Sequence, residues 1–425
     1  MVETNELKRG VGFFRFVGKV ATDPAGFKGL QEPKKEGGWM QVRDTLTLSI
    51  DEATKVFPTI QDGIMASNPT IIRFLKEVGK GGDNLVRIPF NERHKYVEKI
   101  NKPLKARIER GEDGKLIDKE FVHGADLSDY LKTHLKQGTE VSVTGDVNYN
   151  YYNDTVRREF KITGIYLNEP YMRNGEEVPS APHTTQLTQT YLVNADSFPR
   201  NFEKELQDDG RTTLNVFVPE YVGKINIDGK DYPVKKTLAL PEKLVFKGET
   251  EEEYKKSLGL LKILKKKVGK KALRIGLINT VYDGAQTETE DVKVSQEIQD
   301  LIDLGLISQE EIKSQTRVKR GTSISDVIYN QIRVVTNDNG ETVADIEEVN
   351  PDLLVFNPEE YITDGSNSEP KGSLSDADAD DLENMFDAGL KSSSKKSENT
   401  EDSDDVFGDF FSDNGINITD DDLPF

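Results

Sequence analysis

The stretch HGADLSDYLKTHLKQGTEVSVTGDVNYNYYNDTVRREFKITGIYL, His123 to Leu167, changes its hydrophobic period part-way along. Leu127, Tyr130, Leu131 and Leu135 fall at helical spacing, and Gly138 is placed to stop that helix. After it the apolar residues alternate in two β-branched, aromatic-rich runs about the turn Asn153, Asp154, Thr155, so the reading is a helix feeding a hairpin. Upstream, GFFRFVGKVA (12–21) and WMQVRDTLTLSI (39–50) read as strands, and NLVRIPF (84–90) as a shorter third. Three strands, one helix and two strands is the order of an OB barrel, in which the helix plugs the barrel between strands three and four.

A weaker copy of this order follows. TQTYLVNAD, TTLNVFVPEY and KKTLALPEKLVF are strand-like, EEEYKKSLGLLKILKKKVG (251–269) is helical, and KALRIGLINTVYDG resumes strand. Gly145, Val147, Asn148 and Tyr151 have counterparts Gly276, Ile278, Asn279 and Tyr282 at a constant offset. SQEIQDLIDLGLISQEEIKSQ (295–315) reads as an extra helical pair before SDVIYNQIRVV (325–335) closes the second unit. The expected fold is therefore mainly β with inserted helices (α+β): two OB-type five-stranded barrels in tandem, followed by a disordered acidic tail. The expected boundaries are 1–170 for the first unit, with insertions at 52–82 and 91–123, then a linker at 171–183, a second, divergent unit with helical insertions at 184–361, and the tail at 362–425.

Composition limits the chemistry. No window approaches the ~18 apolar residues of a membrane span, and MVETNELKRG lacks a signal-peptide core, which points to a cytoplasmic protein. There is no cysteine, and the four histidines, His94, His123, His134 and His183, lack ligand spacing, so neither a metal nor a cofactor is expected. Residues 362–425 hold 18 Asp/Glu against 4 Lys/Arg, a net of −14 out of the chain's −20, so residues 1–361 carry only −6. That balance neither requires nor forbids a polyanionic partner. Two islands interrupt the tail: DDLENMFDAGL, with Leu382, Met385, Phe386 and Leu390 at helical spacing, and DVFGDFF, with Phe407, Phe410 and Phe411. Each reads either as residual hydrophobicity or as a partner-binding motif.

The hairpin carries the sharpest functional signal. Tyr149, Tyr151 and Tyr152 lie beside or across the turn from Arg157 and Arg158, and alternation prevents all three rings from facing one core. Outward aromatics beside basic residues suit stacking on bases while phosphates are tracked. Strand propensity and core packing are the competing explanation, weakest for Tyr152. KKSLGLLKILKKKVGKKALR (255–274) and RVKR (317–320) are the strongest basic clusters, with Leu258, Leu261 and Leu264 as the buried stripe and Lys262, Lys265, Lys266 and Lys270 within reach of a strand; a solvated helix face explains them equally well. Catalysis finds no Walker A pattern, no nucleophile elbow and no metal motif. DADADD (376–381) fails as a calcium loop because Asp381 stands where Gly is needed and Asp387 where Glu is needed.

Three segments resemble the bacterial and phage single-stranded DNA-binding proteins. FVGKVATDP (16–24) is similar to that family's first strand, DYLKTHLKQGTEVSVTGDVNYNYYNDTVRREFKI (129–162) to its helix, Gly stop, fourth strand and hairpin, and DDDLPF (420–425) to its acidic tip. The resemblance covers roughly residues 10–167 and the last six. It places the family's stacking hairpin aromatic on Tyr152 and the Phe that closes its third strand on Phe90. It also implies a tip, Asp420, Asp421, Asp422, Leu423, Pro424 and Phe425, that docks on replication and repair proteins. The sequence departs from the family at the third-strand Trp, where Asn84 and Leu85 stand, and at the Trp after strand two. Trp39 lies before strand two, so no stacking role carries over to it.

The expectation is a non-enzymatic single-stranded DNA-binding protein for replication, recombination or repair, phage-encoded because the insertions and second unit depart from the bacterial housekeeping pattern. Its partners would be single-stranded DNA and, through the tip, replication and repair proteins, with no membrane and no small-molecule substrate. A metal-dependent nuclease and a protein-interaction adaptor without DNA binding are the alternatives.

Overall fold

The computed structural model describes residues 6–76, 84–112, 114–153, 155–173, 176–269, 271–288, 319–337 and 339–362. It is mostly β-sheet with few helices. Among the described residues, no helix is long and apolar enough to cross a membrane. The expected helical pair at 295–315, Lys270, both tail islands and the tip Asp420 to Phe425 lie outside the described residues.

In the first half the main strands are β1 (Gly12–Val20), β2 (Trp39–Thr45), β3 (Thr59–Met65), β4 (Thr70–Phe74), β5 (Leu85–Pro89), β6 (Leu104–Arg110) and β7 (Leu116–Phe121). Helix α1 (Gly124–His134), β8 (Glu140–Tyr152) and β9 (Thr155–Leu167) follow. β1 runs antiparallel to β8, β8 to β9, and β3 to β2, while β9 lies parallel to β3 through Lys161 and Thr59. Just beyond β2, Leu48 and Ser49 return to Val20 and Lys19, which completes a circuit of hydrogen-bonded strands. Inside it Phe14, Phe16 and Phe160 pack with ring centroids 4.5 to 5.3 Å apart. Leu127 and Leu131 of α1 are fully buried in the same core. Each such side chain contributes about 1.5–3 kcal/mol by leaving water.

One expected strand is elsewhere. β5, the candidate third strand, pairs with β4 in a separate two-stranded sheet, and the strand beside β2 is β3, from within the expected insertion at 52–82. The apolar residues of β5 have another destination: Ile88 is buried with Ile64, Ile71, Ile100 and Val122 in a second, small core, against which Val86 packs. The expected insertion at 91–123 supplies the β6–β7 hairpin, of which β6 extends the sheet parallel to β9.

The second half has β10 (Thr184–Val193), α2 (Phe202–Asp208), β11 (Arg211–Ile227), β12 (Lys230–Lys247), α3 (Glu251–Val268), β13 (Ala272–Glu288) and β14 (Lys319–Ile332). β10 pairs with β13, β13 with β14 and β11 with β12, all antiparallel; β14 lies parallel to β12, and β11 returns to β10 at Phe217 and Leu192. Thr250 and Glu253 form a capping box at the start of α3, whose last turn holds Lys265, Lys266 and Lys267 where the helix dipole favours cations. Gly145 and Gly276, matched in the sequence, are both sites of close approach: a Cβ would sit 1.9 Å from Lys161 O and 1.9 Å from an Asp345 carboxylate oxygen, respectively.

The halves are joined by more than the segment at 171–183. Gly12 to Val17 of β1 pair antiparallel with Gln189 to Thr184 of β10, and the β8 tip bridges β11 between Tyr152 and Asn226. β1 is also buried on both faces, with Phe14 and Phe16 on one and Phe13 and Val17 on the other, which is why its sequence alternates only in part. Arg158 on β9 crosses to Glu242 on β12 at 3.0 Å, and Arg9 reaches Glu220 on β11 at 2.7 Å. Burial pushes the Glu220 carboxyl up to about 7 against the pull of Arg9.

Candidate nucleic-acid interface

Strand alternation sorts the hairpin residues. On β8, Val147, Tyr149 and Tyr151 point inward, while Asp146, Asn150 and Tyr152 are exposed. Tyr152 is 41% exposed and carries the Arg157 guanidinium 4.7 Å from its ring centroid. An exposed ring already paired with a cation beside a tight turn is chemically suited to a base and its phosphate.

Tyr149 and Tyr151 are corrected: they are 2% and 8% exposed, so neither offers a ring face to a ligand. The Tyr149 hydroxyl is pushed far up by burial, and Tyr151 packs edge-on against Phe356 at 5.0 Å. Arg158 is corrected as well. It is held by Glu242 and, at 3.4 Å, by Ser325 Oγ, which makes it a joint between the halves. Phe90 does not close a strand of the main sheet; it begins a 3-10 turn, with Arg93 3.8 Å from its centroid and the His123 ring edge-on at 5.2 Å.

In α3, Leu261 and Leu264 are buried and Leu258 partly so. Lys262 pairs with Glu203 at 3.2 Å, and the Lys265 ammonium sits 5.1 Å from the Phe198 ring and 5.6 Å from Phe202, capping the contact with α2. Lys266 is exposed. This basic helix face is therefore partly engaged in holding α2, and the structure does not bring it together with the hairpin site.

What the hairpin does join is the outward face of four adjacent strands, β2, β3, β9 and β8. Trp39, Gln41 and Arg43 project from β2, Gln61 and Gly63 from β3, Arg157, Glu159 and Lys161 from β9, and Asn148, Asn150 and Tyr152 from β8. Trp39 is 50% exposed and lies against Gly63, where a Cβ would come within 2.5 Å of the indole. Gly63 thus lets the ring lie on the sheet with its other side toward solvent. Arg43 Nη2 reaches Glu159 at 2.8 Å, and Gln61 and Asn150 each donate to the same carboxylate at 3.2 Å. Beneath the β3 edge of this face, burial raises the Asp62 carboxyl, but Arg73 at 2.6 Å, His123 and Lys161 outweigh it and bring it down to about 2.

Trp39, Arg43, Gln61 and Lys161 were missed in the sequence. The signal was there in part: Trp39, Gln41 and Arg43 share one alternation phase, opposite Val42. Their significance appears only when β3 is seen beside them. Among the described residues, no group of three or more His, Asp or Glu side chains is placed to hold a metal ion.

No family model and no curated protein matches the sequence. Among solved structures, the chain is similar to the wild-type single-stranded DNA binding protein from Thermus aquaticus, at 8% identity over 65% of this chain and 86% of that one, with a TM-score of 0.23. It is also similar to a deletion mutant of that protein, at 8% identity over 65% and 88% of the two chains, with a TM-score of 0.21.

Proposed function

We propose that the protein binds single-stranded DNA on the outward face of β2, β3, β9 and β8. The carrying observation is that this one face presents exposed rings, Trp39 and Tyr152, with the cations Arg43, Arg157 and Lys161 and the amides of Gln61 and Asn150 among them. Rings accept any base by stacking, and cations follow the backbone without regard to sequence. The two strand circuits support reading the chain as tandem OB-type barrels, since each pairs its strands in the order one, two, three, five, four, back to one. In such barrels the face of strands two and three and the loop between four and five are the usual nucleic-acid surface. In this reading the protein is not an enzyme: it coats and protects single strands in replication, recombination or repair inside the host cytoplasm. The phage assignment and the recruitment of partner proteins through Asp420 to Phe425 rest on the sequence resemblance.

Titration with oligo-dT, oligo-rU and duplex DNA tests the reading. Saturable, salt-sensitive binding of oligo-dT with much weaker binding of duplex is the expected result. Binding of no oligonucleotide at low salt would favour the adaptor alternative, and divalent-metal-dependent cleavage would favour the nuclease.

A further inference from the structure

Glu159 stands in the middle of the proposed binding face, where a carboxylate repels phosphate. Its Oε1 accepts from Arg43 Nη2 at 2.8 Å, and its Oε2 accepts from Gln61 Nε2 and Asn150 Nδ2 at 3.2 Å each. A carboxylate offers about four lone-pair positions, so three are taken by donors drawn from three different strands, β2, β3 and β8. Those donors, a guanidinium and two amides, are also the types that bind a phosphate oxygen or a base edge. In the free protein the carboxylate thus engages the kinds of donor that a phosphodiester would use. We infer that Glu159 is a built-in competitor for the bound strand: on binding, a backbone phosphate takes Arg43 from it, and on release the carboxylate takes Arg43 back. This rests on the reading that a single strand lies on this face.

The magnitudes suit a reversible exchange. The Arg43 side chain is 54% exposed and that of Glu159 22%, and an exposed ion pair is worth only about 0.2–1 kcal/mol. A phosphate can displace it readily, and the carboxylate weakens binding without preventing it. Glu159 also keeps the guanidinium and both amides ordered over β9, so that the incoming strand meets donors already in place. The consequence is a face that exchanges strands faster than its count of cations predicts.

The test uses the full chain, oligo-dT as the probe and the isosteric variant Glu159→Gln. Affinity at low salt should rise about two- to fivefold, the factor for removing a competitor of this strength. The slope of log affinity against log salt should change by less than the roughly 0.7 of one phosphate contact, because the strand engages Arg43 in both proteins. In an Arg43→Ala background the same substitution should give a clearly smaller gain, since only the carboxylate's repulsion of phosphate is left to remove. An equal gain in both backgrounds would mean that the carboxylate acts by repulsion alone, and lower affinity on Glu159→Gln would mean that it only positions its donors; either result overturns the inference. If Tyr152→Ala and Arg43→Ala weaken binding while Glu159→Gln changes nothing, the competitor fails and the functional reading stands. Should none of the three alter binding while melting is unchanged, the strand lies elsewhere and both fail.

Discussion

Tyr149 and Tyr152 are three residues apart on one strand, and that odd spacing sends one ring into the core and the other into solvent. Replacing them should separate stability from binding. Tyr152→Ala should weaken oligo-dT binding by about 1–3 kcal/mol, the range for one stacked base, with the unfolding midpoint nearly unmoved. Tyr149→Ala should instead cost about 3–5 kcal/mol of stability, as for other buried rings, measured by denaturant unfolding. Asp62 gives a second residue-scale expectation. Its folded pKa of about 2 lies below the ordinary carboxyl value, so its contribution is fully present above about pH 5 and is lost as pH falls toward 2. The size is about 2 kcal/mol at neutral pH. Unfolding of wild type and Asp62→Asn across that window should give curves that converge at low pH. Curves that stay parallel would show that Asp62 does not set the acid limb.

At the scale of elements, the β8–β9 hairpin is held against the β11–β12 hairpin by Arg158 and Glu242, with side chains 11% and 18% exposed. Removing one partner leaves a mostly desolvated charge, so Glu242→Ala should destabilise by about 3–5 kcal/mol, whereas replacing both residues by apolar ones should cost far less. A double-mutant cycle followed by thermal melting measures the coupling. The same hairpin shows what the sequence made legible. Its boundaries and the helix before it could be read because the hydrophobic period changes from helical to alternating at Gly138. β3 was illegible for a physical reason: TIQDGIM places Asp62 between Ile60 and Ile64 on the inward side, a pattern that argues against a core strand. The compensating groups lie outside the strand itself: Arg73 on β4 and His123 just before α1. The burial of Tyr149 and Tyr151 was equally hidden, because what covers the inward side of the hairpin tip comes partly from the second half, Glu242 and Phe356 among it.

For the whole molecule, main-chain pairing of β1 with β10 and the bridge from Tyr152 to Asn226 make the two halves one hydrogen-bonded sheet. Breaking one half exposes the edge and core of the other, so calorimetric and fluorescence unfolding should coincide in one transition; two separated transitions would mean that the joint contributes little. The proposed division of labour between body and tip predicts that deleting Leu423 to Phe425 removes capture of replication or repair partners in a pull-down and leaves oligo-dT affinity undiminished. A single strand lying on the β2–β3–β9–β8 face would have a built-in reporter. The chain's single tryptophan, Trp39, is on that face and half exposed. A stacked base quenches indole emission, so titration with oligo-dT followed by Trp39 fluorescence should show saturable quenching that reverses with added salt, and duplex DNA at the same concentration should give far less. Oligo-dT that binds by an independent measure while Trp39 emission stays constant would place the strand on another surface.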